Sequence, residues 1–275
     1  MMMMVMVMMD VSFNLSALLP QQEFERRFDE REALQWVQNN WSKTFSFAVA
    51  YMIVIFGGQH VMKERTGYKL RKALTLWSLG LALFSAIGTH RTWSHMAYIL
   101  STEGFRQLVC GQSYFVSSTT KFWAYIFVLS KVLELGDTVF IVLRKKRLIF
   151  LHWYHHIVTM IYSWFAYKQL APGSTLFASI NFAVHTFMYS YYAMRAAGFW
   201  VPSYIAMAVT FSQILQMVVG VIVNILLLFW LEKEILHDTS LCIFFSFVMY
   251  LSYFVLFCNF FLKTYLKNAK KSKGE

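Results

Sequence analysis

Apolar stretches of about 20 residues recur along this 275-residue chain, and they restrict the folds open to it. About 20 helical residues are enough to cross the hydrocarbon core of a bilayer, which is roughly 30 Å thick. The composition agrees, because 58% of the residues are hydrophobic and only 14% are charged. Backbone groups within lipid must pair internally, so spanning segments of this length are helices. The sequence therefore predicts an all-α polytopic membrane protein.

The apolar stretches predict seven transmembrane helices joined by short loops. No hydrophilic stretch is long enough to form a separate soluble domain. We therefore expect an N-terminal segment over 1–43, a seven-helix domain over 44–262 and a basic tail over 263–275. The expected spans are about 44–62, 73–89, 116–142, 148–167, 175–194, 203–230 and 241–262.

Lysine and arginine are concentrated in alternate loops, and this pattern predicts the orientation of the chain. Fifteen of the 25 basic residues lie on one side, including the run RKKR at 144–147. Short loops rich in basic residues face the cytosol. We therefore expect a luminal N-terminus and a cytosolic C-terminus.

Short motifs at the two ends of the chain fit this orientation. The sequon NLS at 14–16 makes Asn14 a candidate luminal glycosylation site. The final KSKGE places Lys271 and Lys273 in a dilysine-type pattern that returns membrane proteins to the endoplasmic reticulum. An ordinary solvated basic tail would have the same composition. We expect a multi-pass protein of the endoplasmic reticulum membrane.

Two of the three cysteines, Cys110 and Cys242, fall at the predicted luminal surface. Disulfides form and persist in that oxidising compartment. We expect a disulfide between these two residues. A pair of free thiols is the alternative, since only the geometry decides whether the bond can form.

Polar residues interrupt four consecutive predicted spans at helical spacing. Ionisable and amide groups in membrane helices face the protein interior and are functional candidates. Steps of three or four place each set on one face of its helix. The sets are Lys131, Glu134, Asp137 and Thr138; His152, His155 and His156; Asn181, His185 and Tyr189; and Thr210, Gln213 and Gln216. Since these faces avoid lipid only by facing one another, we expect one cavity beneath the cytosolic surface.

Several of these residues also have a purely structural interpretation. Lys131 and Glu134 could form an internal ion pair. The two glutamines could join helices by hydrogen bonds, and Tyr189 could be a packed aromatic residue. A structural role explains His155 and His185 less well, because two histidines at one depth on facing helices need a partner or a function.

The histidine pattern HxxHH allows either metal binding or covalent catalysis. It occurs in membrane di-iron desaturases and hydroxylases, which need several such boxes. The remaining histidines here lie at span ends or in loops: His60, His90, His95 and His237. Four clustered histidines and a carboxylate could hold one metal ion but not a di-iron centre. An acyl group on imidazole requires a site closed to water, which a helical bundle supplies.

The four polar motifs, taken in order, resemble those of the very-long-chain fatty acid elongases. KVLELGDT, HWYHH, NFAVHTFMYSYY and TFSQILQ match the family's KxxExxDT, HxxHH, NxxxHxxMYxYY and TxxQxxQ. The resemblance runs from NNWSKTF to the basic tail. It is strongest to the subgroup that elongates saturated and monounsaturated chains of about palmitate length. One departure is Asn259, where close relatives usually have histidine.

The resemblance implies a fold and a reaction. The fold is a seven-helix membrane protein in which six helices form a barrel around an acyl tunnel. The reaction condenses a long-chain acyl-CoA with malonyl-CoA to a 3-oxoacyl-CoA that is two carbons longer, with release of CO2 and CoA. These two thioesters are substrates, and no metal or organic cofactor is expected.

The resemblance also implies roles for the polar residues. His155 is the expected nucleophile, and His185 is its partner. The remaining catalytic candidates would orient the reacting groups, exchange protons or polarise substrate oxygens: His152, His156, Asp137, Asn181 and Lys131.

Further residues are expected to contact substrate. Four of them line the predicted cavity: Glu134, Tyr189, Gln213 and Gln216. The phosphates of CoA would rest on basic residues of the cytosolic side: Arg144, Lys145, Lys146, Lys263 and Lys267. These lysines and arginines could equally be present only as positive-inside residues.

A seven-span receptor is the alternative outside enzymes, and a histidine-box metal oxygenase is the alternative within them. Very short loops and a polar layer on the cytosolic side argue against the receptor. The expected partners are membrane lipid, further copies of the chain, and the ketoacyl reductase, dehydratase and enoyl reductase of the elongation cycle. No nucleic-acid partner is expected.

Overall fold

The structure is a computed structural model that describes residues 21–111 and 117–266. Over these residues the secondary structure is helical, with short turns and no β-strand. The expectation of an all-α protein is confirmed. Four of the predicted site residues lie outside the described part of the chain: Asn14, Lys267, Lys271 and Lys273.

Eleven helices are described, and we number them in chain order. They are α1 (Glu23–Arg26), α2 (Glu30–Asn40), α3 (Lys43–Val61), α4 (Arg71–Thr102), α5 (Gly104–Cys110), α6 (Ser118–Leu133), α7 (Gly136–Leu143), α8 (Phe150–Lys168), α9 (Ser174–Ala197), α10 (Ser203–Trp230) and α11 (Lys233–Phe261). A π-helical turn, Leu262–Leu266, continues α11.

Four of the described helices are long and apolar enough to cross a membrane. They are α3, α4, α10 and the continuous run Lys233–Leu266. Large apolar side chains lie on their outer surfaces, as in Ile53 and Phe229, which are 67% and 80% exposed. Such exposure is costly in water but suits hydrocarbon, so the chain is a membrane-spanning helical protein.

The other three predicted spans coincide with helices that are less uniformly apolar. The span expected over 116–142 is divided into α6 and α7, with Glu134 and Leu135 between them. The spans expected over 148–167 and 175–194 correspond to α8 and α9. All of these helices carry the polar sets described above, which lowers their mean hydropathy.

Two helices are longer than the sequence predicts. Helix α4 continues to Thr102, so Arg91 and His95 lie within a helix rather than in a luminal loop. The physical reason is that Arg91 has a buried partner: its Nε donates to Glu25 Oε1 at 3.0 Å. Helix α11 begins at Lys233 rather than near residue 241.

Loops rich in basic residues meet at one end of the bundle, which we call the basic end. Lys145 Nζ donates to the carbonyl oxygens of Lys63 and Arg65 at 2.8 and 3.0 Å. Arg71 Nε donates to the carbonyl oxygen of Ala196 at 3.0 Å. These contacts place the ends of α3, α7 and α9 beside the start of α4.

The opposite end of the bundle receives the N-terminal segment. Glu25 is 0% exposed and binds Arg91 of α4 and Trp123 of α6, whose Nε1 donates to Glu25 Oε1 at 2.8 Å. Burial by itself would raise the pKa of Glu25, but hydrogen bonds from Arg91, the Gln22 backbone and Trp123 hold this pKa below its ordinary value. A charged carboxylate therefore anchors α1 to the bundle.

The predicted disulfide is not formed, and this expectation is corrected. Cys110, Cys242 and Cys258 are all free thiols. Cys110 packs with the cluster around Ile99 and Leu227. Cys242 packs instead against Ala166 and Ala171, so the two thiols occupy separate parts of the core.

Candidate active site

A cavity of about 280 Å³ lies among α7, α8, α9, α10 and α11. Its wall contains residues from every one of the predicted polar sets. The predicted residues that line it are Glu134, Asp137, His152, His155, His156, Asn181, His185, Tyr189, Thr210, Gln213 and Gln216. The structure therefore brings together residues that helical periodicity alone assigned to four separate faces.

The three histidines of α8 lie on one side of that helix. The ring centroids of His152 and His156 are 4.5 Å apart, and those of His155 and His156 are 5.6 Å apart. His155 also lies against Tyr253 of α11, with ring centroids 4.9 Å apart. Within the described residues, the imidazole of His155 makes no hydrogen bond to another side chain, so its nitrogens are available to a substrate.

A second, narrower cavity of about 70 Å³ continues away from the basic end. It extends along α8 past Thr159 and Ser163 to Tyr167. The two cavities share four lining residues: His155, Asn181, Gln216 and Met217. His155 is therefore at the junction between a wide polar chamber and a narrow, mainly apolar one.

His185 belongs to a buried hydrogen-bond network that starts at Lys131. Lys131 Nζ donates to Glu134 Oε1 at 2.7 Å and to Asn181 Oδ1 at 3.0 Å. Because Asn181 Oδ1 accepts from lysine, its Nδ2 is the donor to His185 Nε2, at 3.3 Å. The proton of a neutral His185 then lies on Nδ1, which faces Glu134 Oε2 at 3.8 Å. Glu134 thus forms an internal ion pair with Lys131, which is the structural interpretation of these two residues given by the sequence.

Asp137 is held by aromatic donors rather than by a histidine. Trp77 Nε1 of α4 donates to Asp137 Oδ1 at 2.6 Å, and the Tyr189 hydroxyl donates to Oδ2 at 2.7 Å. The neighbouring Gly136 permits this contact, since a Cβ there would lie 2.7 Å from Trp77 Cζ2. Tyr189 also contacts the ring of His185, with centroids 5.3 Å apart. Asp137 thus orients the tyrosine that packs on His185.

His152 is bound through a short chain of hydroxyl groups. Its Nε2 is 2.9 Å from Thr138 Oγ1, and Thr138 Oγ1 is 2.6 Å from the hydroxyl of Tyr51 in α3. Thr138 is fully buried and Tyr51 nearly so. These hydrogen bonds connect α3 to the first histidine of α8.

The two glutamines differ in their surroundings. Gln213 donates from Nε2 to the sulfur of Met188 at 3.2 Å. Gln216 is buried and lies between the two cavities. Thr210, one helical turn before Gln213, contacts the hydroxyl of Tyr265 at 3.2 Å. The π-helical turn of α11 therefore forms part of the chamber wall.

The basic residues predicted to hold CoA are not equivalent. Lys145 donates to two loop carbonyl oxygens, as described above, which gives it a structural role. Lys146 and Lys263 are exposed, and Arg144 is half-buried. Lys263 lies in the π-helical turn two residues before Tyr265, which lines the chamber.

Clustered histidines are common metal ligands in proteins. Among residues 21–111 and 117–266, no three side chains of the His, Cys, Asp and Glu types come together as metal ligands would.

Several residues of the site carry no signal in the sequence that reveals them. Trp77, Tyr51 and Tyr253 lie on α4, α3 and α11, outside the four polar sets. Each is an aromatic residue in a helix rich in aromatic residues. Their contacts join helices that are distant along the chain, which periodicity within one helix does not report.

Comparison with known proteins places this geometry in context. The family model described as "ELO: GNS1/SUR4 family" matches residues 36–273. The chain is 52% identical to very long chain fatty acid elongase 6 of Homo sapiens, over 95% of this chain and 100% of the relative. It is 52% identical to elongase 6 of Gallus gallus, over 94% and 98% of the two chains. It is 43% identical to very long chain fatty acid elongase 3 of Homo sapiens, over 96% and 97%.

Proposed function

This chain belongs to the GNS1/SUR4 family of fatty acid elongases, and from that premise we propose that it extends acyl-CoA chains of about palmitate length. It is a condensing enzyme of fatty acid elongation, an acyltransferase of the 3-ketoacyl-CoA synthase type. The alternatives of a metal oxygenase and a receptor are not favoured, since the relatives that match the whole chain are elongases. The proposed preference for palmitate-class substrates rests on the higher identity to elongase 6 than to elongase 3.

The proposed architecture has seven membrane spans, six of which surround the substrate tunnel. The third span would be α6 followed by α7, and the remaining six would be α3, α4, α8, α9, α10 and α11. Neither α3 nor α4 lines either cavity. Helix α4 would complete the barrel, because its Trp77 binds the chamber residue Asp137, and α3 would lie outside it. The basic end would face the cytosol, by the positive-inside rule.

The proposed reaction begins with acyl transfer to His155. A ring nitrogen attacks the thioester carbonyl carbon, the carbon–sulfur bond breaks, and CoA leaves with the proton released from the imidazole. The result is an acyl-imidazole and free CoA. Splitting the condensation in this way replaces one difficult step with two easier ones. The position of His155 at the junction of the two cavities is the observation that carries this assignment.

The second step is decarboxylative attack by malonyl-CoA. Loss of CO2 leaves the electron pair on the carbon next to the thioester, and that carbon attacks the acyl-imidazole carbonyl. The bond to His155 breaks, and the ring recovers one proton from solvent or a neighbouring group. The overall reaction therefore consumes one proton and gives the 3-oxoacyl-CoA, CO2 and CoA.

The surrounding residues suit the charges that develop. His185, fixed by Asn181 and Glu134, presents a defined tautomer beside the reacting centre. The ammonium of Lys131 lies in the same network and favours negative charge on nearby oxygens. An acyl-imidazole hydrolyses readily, and the buried position of these groups limits the access of water.

The substrate would enter from the basic end. The acyl chain would occupy the narrow cavity, which is lined by apolar and aromatic residues beyond His155. The CoA phosphates would bind the exposed side chains of Lys263 and Lys146, together with Arg144. Lys145 is a weaker candidate, because its ammonium already binds two carbonyl oxygens.

We propose location in the endoplasmic reticulum membrane, with a luminal N-terminus glycosylated at Asn14 and retrieval through Lys271 and Lys273. The 3-oxoacyl-CoA product is a substrate for reduction, dehydration and a second reduction. The proposed partners are therefore the ketoacyl reductase, dehydratase and enoyl reductase, with self-association as a further possibility of the family. Protection of Asn14 from a glycosidase only in sealed microsomes would support this orientation.

The decisive experiment combines product analysis with detection of the intermediate. Purified protein is incubated with labelled malonyl-CoA and a series of acyl-CoAs, and release of labelled CO2 is measured. Enzyme quenched with acyl-CoA alone is then digested for mass spectrometry, where we expect the acyl mass on the peptide containing His155. The variant His155→Ala should lose both signals while retaining its elution position in detergent. Turnover by that variant, or acylation at another residue, would contradict the mechanism.

A further inference from the structure

The hydroxyl chain that ends at His152 is not used by the reaction described above. Tyr51 belongs to α3, which lines neither cavity, yet its buried hydroxyl lies 2.6 Å from Thr138 Oγ1. Thr138 Oγ1 in turn lies 2.9 Å from His152 Nε2. A buried polar chain of this length restricts the position of each proton in it.

The donor and acceptor in each hydrogen bond of this hydroxyl chain follow from counting the available protons. The Tyr51 hydroxyl carries one proton, and among the described residues its single hydrogen-bond partner is Thr138. Tyr51 must therefore donate to Thr138, because the reverse would leave a buried hydroxyl proton without an acceptor. Thr138 then directs its own proton to His152 Nε2. The nitrogen that accepts this proton cannot carry one itself.

The chain therefore fixes the tautomer of His152. A neutral imidazole carries one proton, which must lie on Nδ1 when Nε2 is an acceptor. His152 lies in the first turn of α8, where the partial positive charge of the helix terminus favours a neutral ring. The ring lines the polar chamber, and among the described residues Nδ1 has no hydrogen-bond partner. It is a donor available to a ligand.

We propose that Tyr51 and Thr138 are positioning residues that hold His152 as the Nδ1–H tautomer, so that His152 donates a hydrogen bond to the substrate carbonyl oxygen during acyl transfer. His152 is then neither a base nor a proton carrier in this step. It stabilises negative charge on oxygen while the carbon is tetrahedral, and its proton stays on the ring. The hydrogen bond to the substrate rests on the proposed condensation reaction, but the assignment of the His152 tautomer does not.

The tautomer is measured without substrate. Protein labelled with ¹⁵N-histidine is placed in nanodiscs, and the ring-nitrogen signals of His152 are identified as the pair that is lost in His152→Asn. We expect these signals to show the proton on Nδ1. Thr138→Val should move the proton of this ring towards Nε2, whereas Thr138→Ser, which keeps the hydroxyl, should leave it on Nδ1. A proton on Nε2 in the unchanged protein would overturn the inference.

The function of the donor is measured by two substitutions at His152. The side-chain nitrogen of asparagine can occupy the place of Nδ1, whereas that of glutamine reaches the place of Nε2. We expect His152→Asn to retain a kcat at least about tenfold above that of His152→Gln, with similar KM, given the size of single-donor effects. Equal or reversed kcat values would overturn the proposed donor.

The roles of Tyr51 and Thr138 are tested against a control substitution at another tyrosine, Tyr154. Tyr51→Phe and Thr138→Val should lower kcat by roughly tenfold or more with little change in KM, since a histidine held in the wrong tautomer is a poor catalyst. Tyr154→Phe removes a hydroxyl from the same membrane region, where it contacts Ser252 at 3.1 Å, and should leave kcat within about twofold. An unchanged kcat in both Tyr51→Phe and Thr138→Val would overturn the positioning role.

These measurements separate the two proposals. If acyl-His155 is never found but the Nδ1–H tautomer and the asparagine preference hold, the condensation mechanism fails and the donor assignment stands. If the adduct forms normally in Thr138→Val at an unchanged rate, the positioning role fails and the condensation mechanism stands.

Discussion

At the scale of single residues, the polar side chains of the chamber bind one another as well as facing its interior. Lys131, Glu134, Asn181 and His185 form one network, in which the orientation of each group is set by the next. Groups fixed in this way need little reorganisation when charge develops on a substrate. The network would thus serve both the stability of the bundle and the proposed chemistry.

The ion pair within this network should be costly to break. Lys131→Met leaves Glu134 buried without its lysine, and we expect a loss of about 3–5 kcal/mol of unfolding free energy, as for other buried pairs. The measurement is reversible unfolding in mixed micelles. Lys121→Met provides the comparison, because the Lys121–Glu30 pair is partly exposed and should cost about 0–1 kcal/mol. Equal losses in the two variants would contradict a special role for burial.

Sequence reasoning predicted that the polar faces of four helices share one cavity, but it did not predict which individual side chains pair between helices. The spacing of His152, His155 and His156 placed them on one face, and the structure lines one chamber with all three. The partnership of Trp77 with Asp137 was not predicted, because it joins residues 60 positions apart on different helices. The expected bond between Cys110 and Cys242 failed for the same reason, since a shared membrane face does not establish proximity.

At the scale of elements, the break between α6 and α7 shapes the chamber. Glu134 and Leu135 interrupt the span, and Gly136 then allows Trp77 to approach the backbone. The break directs Glu134 towards Lys131 and places Asp137 beside Trp77 and Tyr189. A continuous apolar helix would offer none of these contacts.

A methyl group at the break should therefore disturb the site. In Gly136→Ala the new Cβ would lie 2.7 Å from Trp77 Cζ2, so the indole must move away from Asp137. We expect a loss of about 1–3 kcal/mol in stability and reduced kcat, measured by thermal unfolding and condensation assays. Gly80→Ala, on the same helix as Trp77, has open space around its Cβ and should be neutral or slightly stabilising. Full activity in Gly136→Ala would argue against this account.

The sequence predicted an N-terminal segment over 1–43, but it did not predict the contact of this segment with α4. The span predicted over 73–89 ended before Arg91, but Glu25 neutralises the charge of Arg91 and α4 continues through this position. Helical propensity and hydropathy do not predict this extension of α4, because the partner of Arg91 is 66 residues away in the sequence. The same contact explains why α4 is longer than expected.

This anchor should make stability depend on pH. The folded pKa of Glu25 lies below its ordinary value, so the pair stabilises the protein above the ordinary carboxyl pKa and is lost as pH falls through the folded value. Glu25→Gln should lower the Tm near pH 7 and reduce the fall in Tm between about pH 5 and pH 3. Glu23→Gln, which alters an exposed pair with Arg27, should keep the full fall. An unchanged pH profile in Glu25→Gln would show that other groups determine it.

At the scale of the whole molecule, the two cavities together suggest how chain length is limited. Ala166 lies 11 residues beyond His155 on α8, which corresponds to roughly 16 Å along the helix axis. That depth suits the body of an acyl chain of about palmitate length. The family resemblance implied an acyl tunnel, but its depth depends on how side chains from several helices meet.

A larger side chain near the far end should shorten the accepted substrate. In Ala166→Leu we expect the ratio of kcat/KM for shorter over longer acyl-CoAs to rise about tenfold, because the longer chain meets the added group. The ratio is insensitive to the fraction of active enzyme, so partial loss of stability does not disturb it. Ala50→Leu adds the same group on an exposed face of α3 and should leave the ratio unchanged. A constant ratio in Ala166→Leu would place the length limit elsewhere.

The ion pair between Glu25 and Arg91 has a consequence for insertion of the chain into the membrane. The carboxylate precedes α3 and the guanidinium follows most of α4, so the two meet only after a complete hairpin has been threaded through the bilayer. A nascent chain in which only one of these two helices had crossed would leave the arginine on the opposite side of the bilayer from its counterion. The ion pair therefore requires that both helices of the hairpin have crossed, whichever side the N-terminus faces.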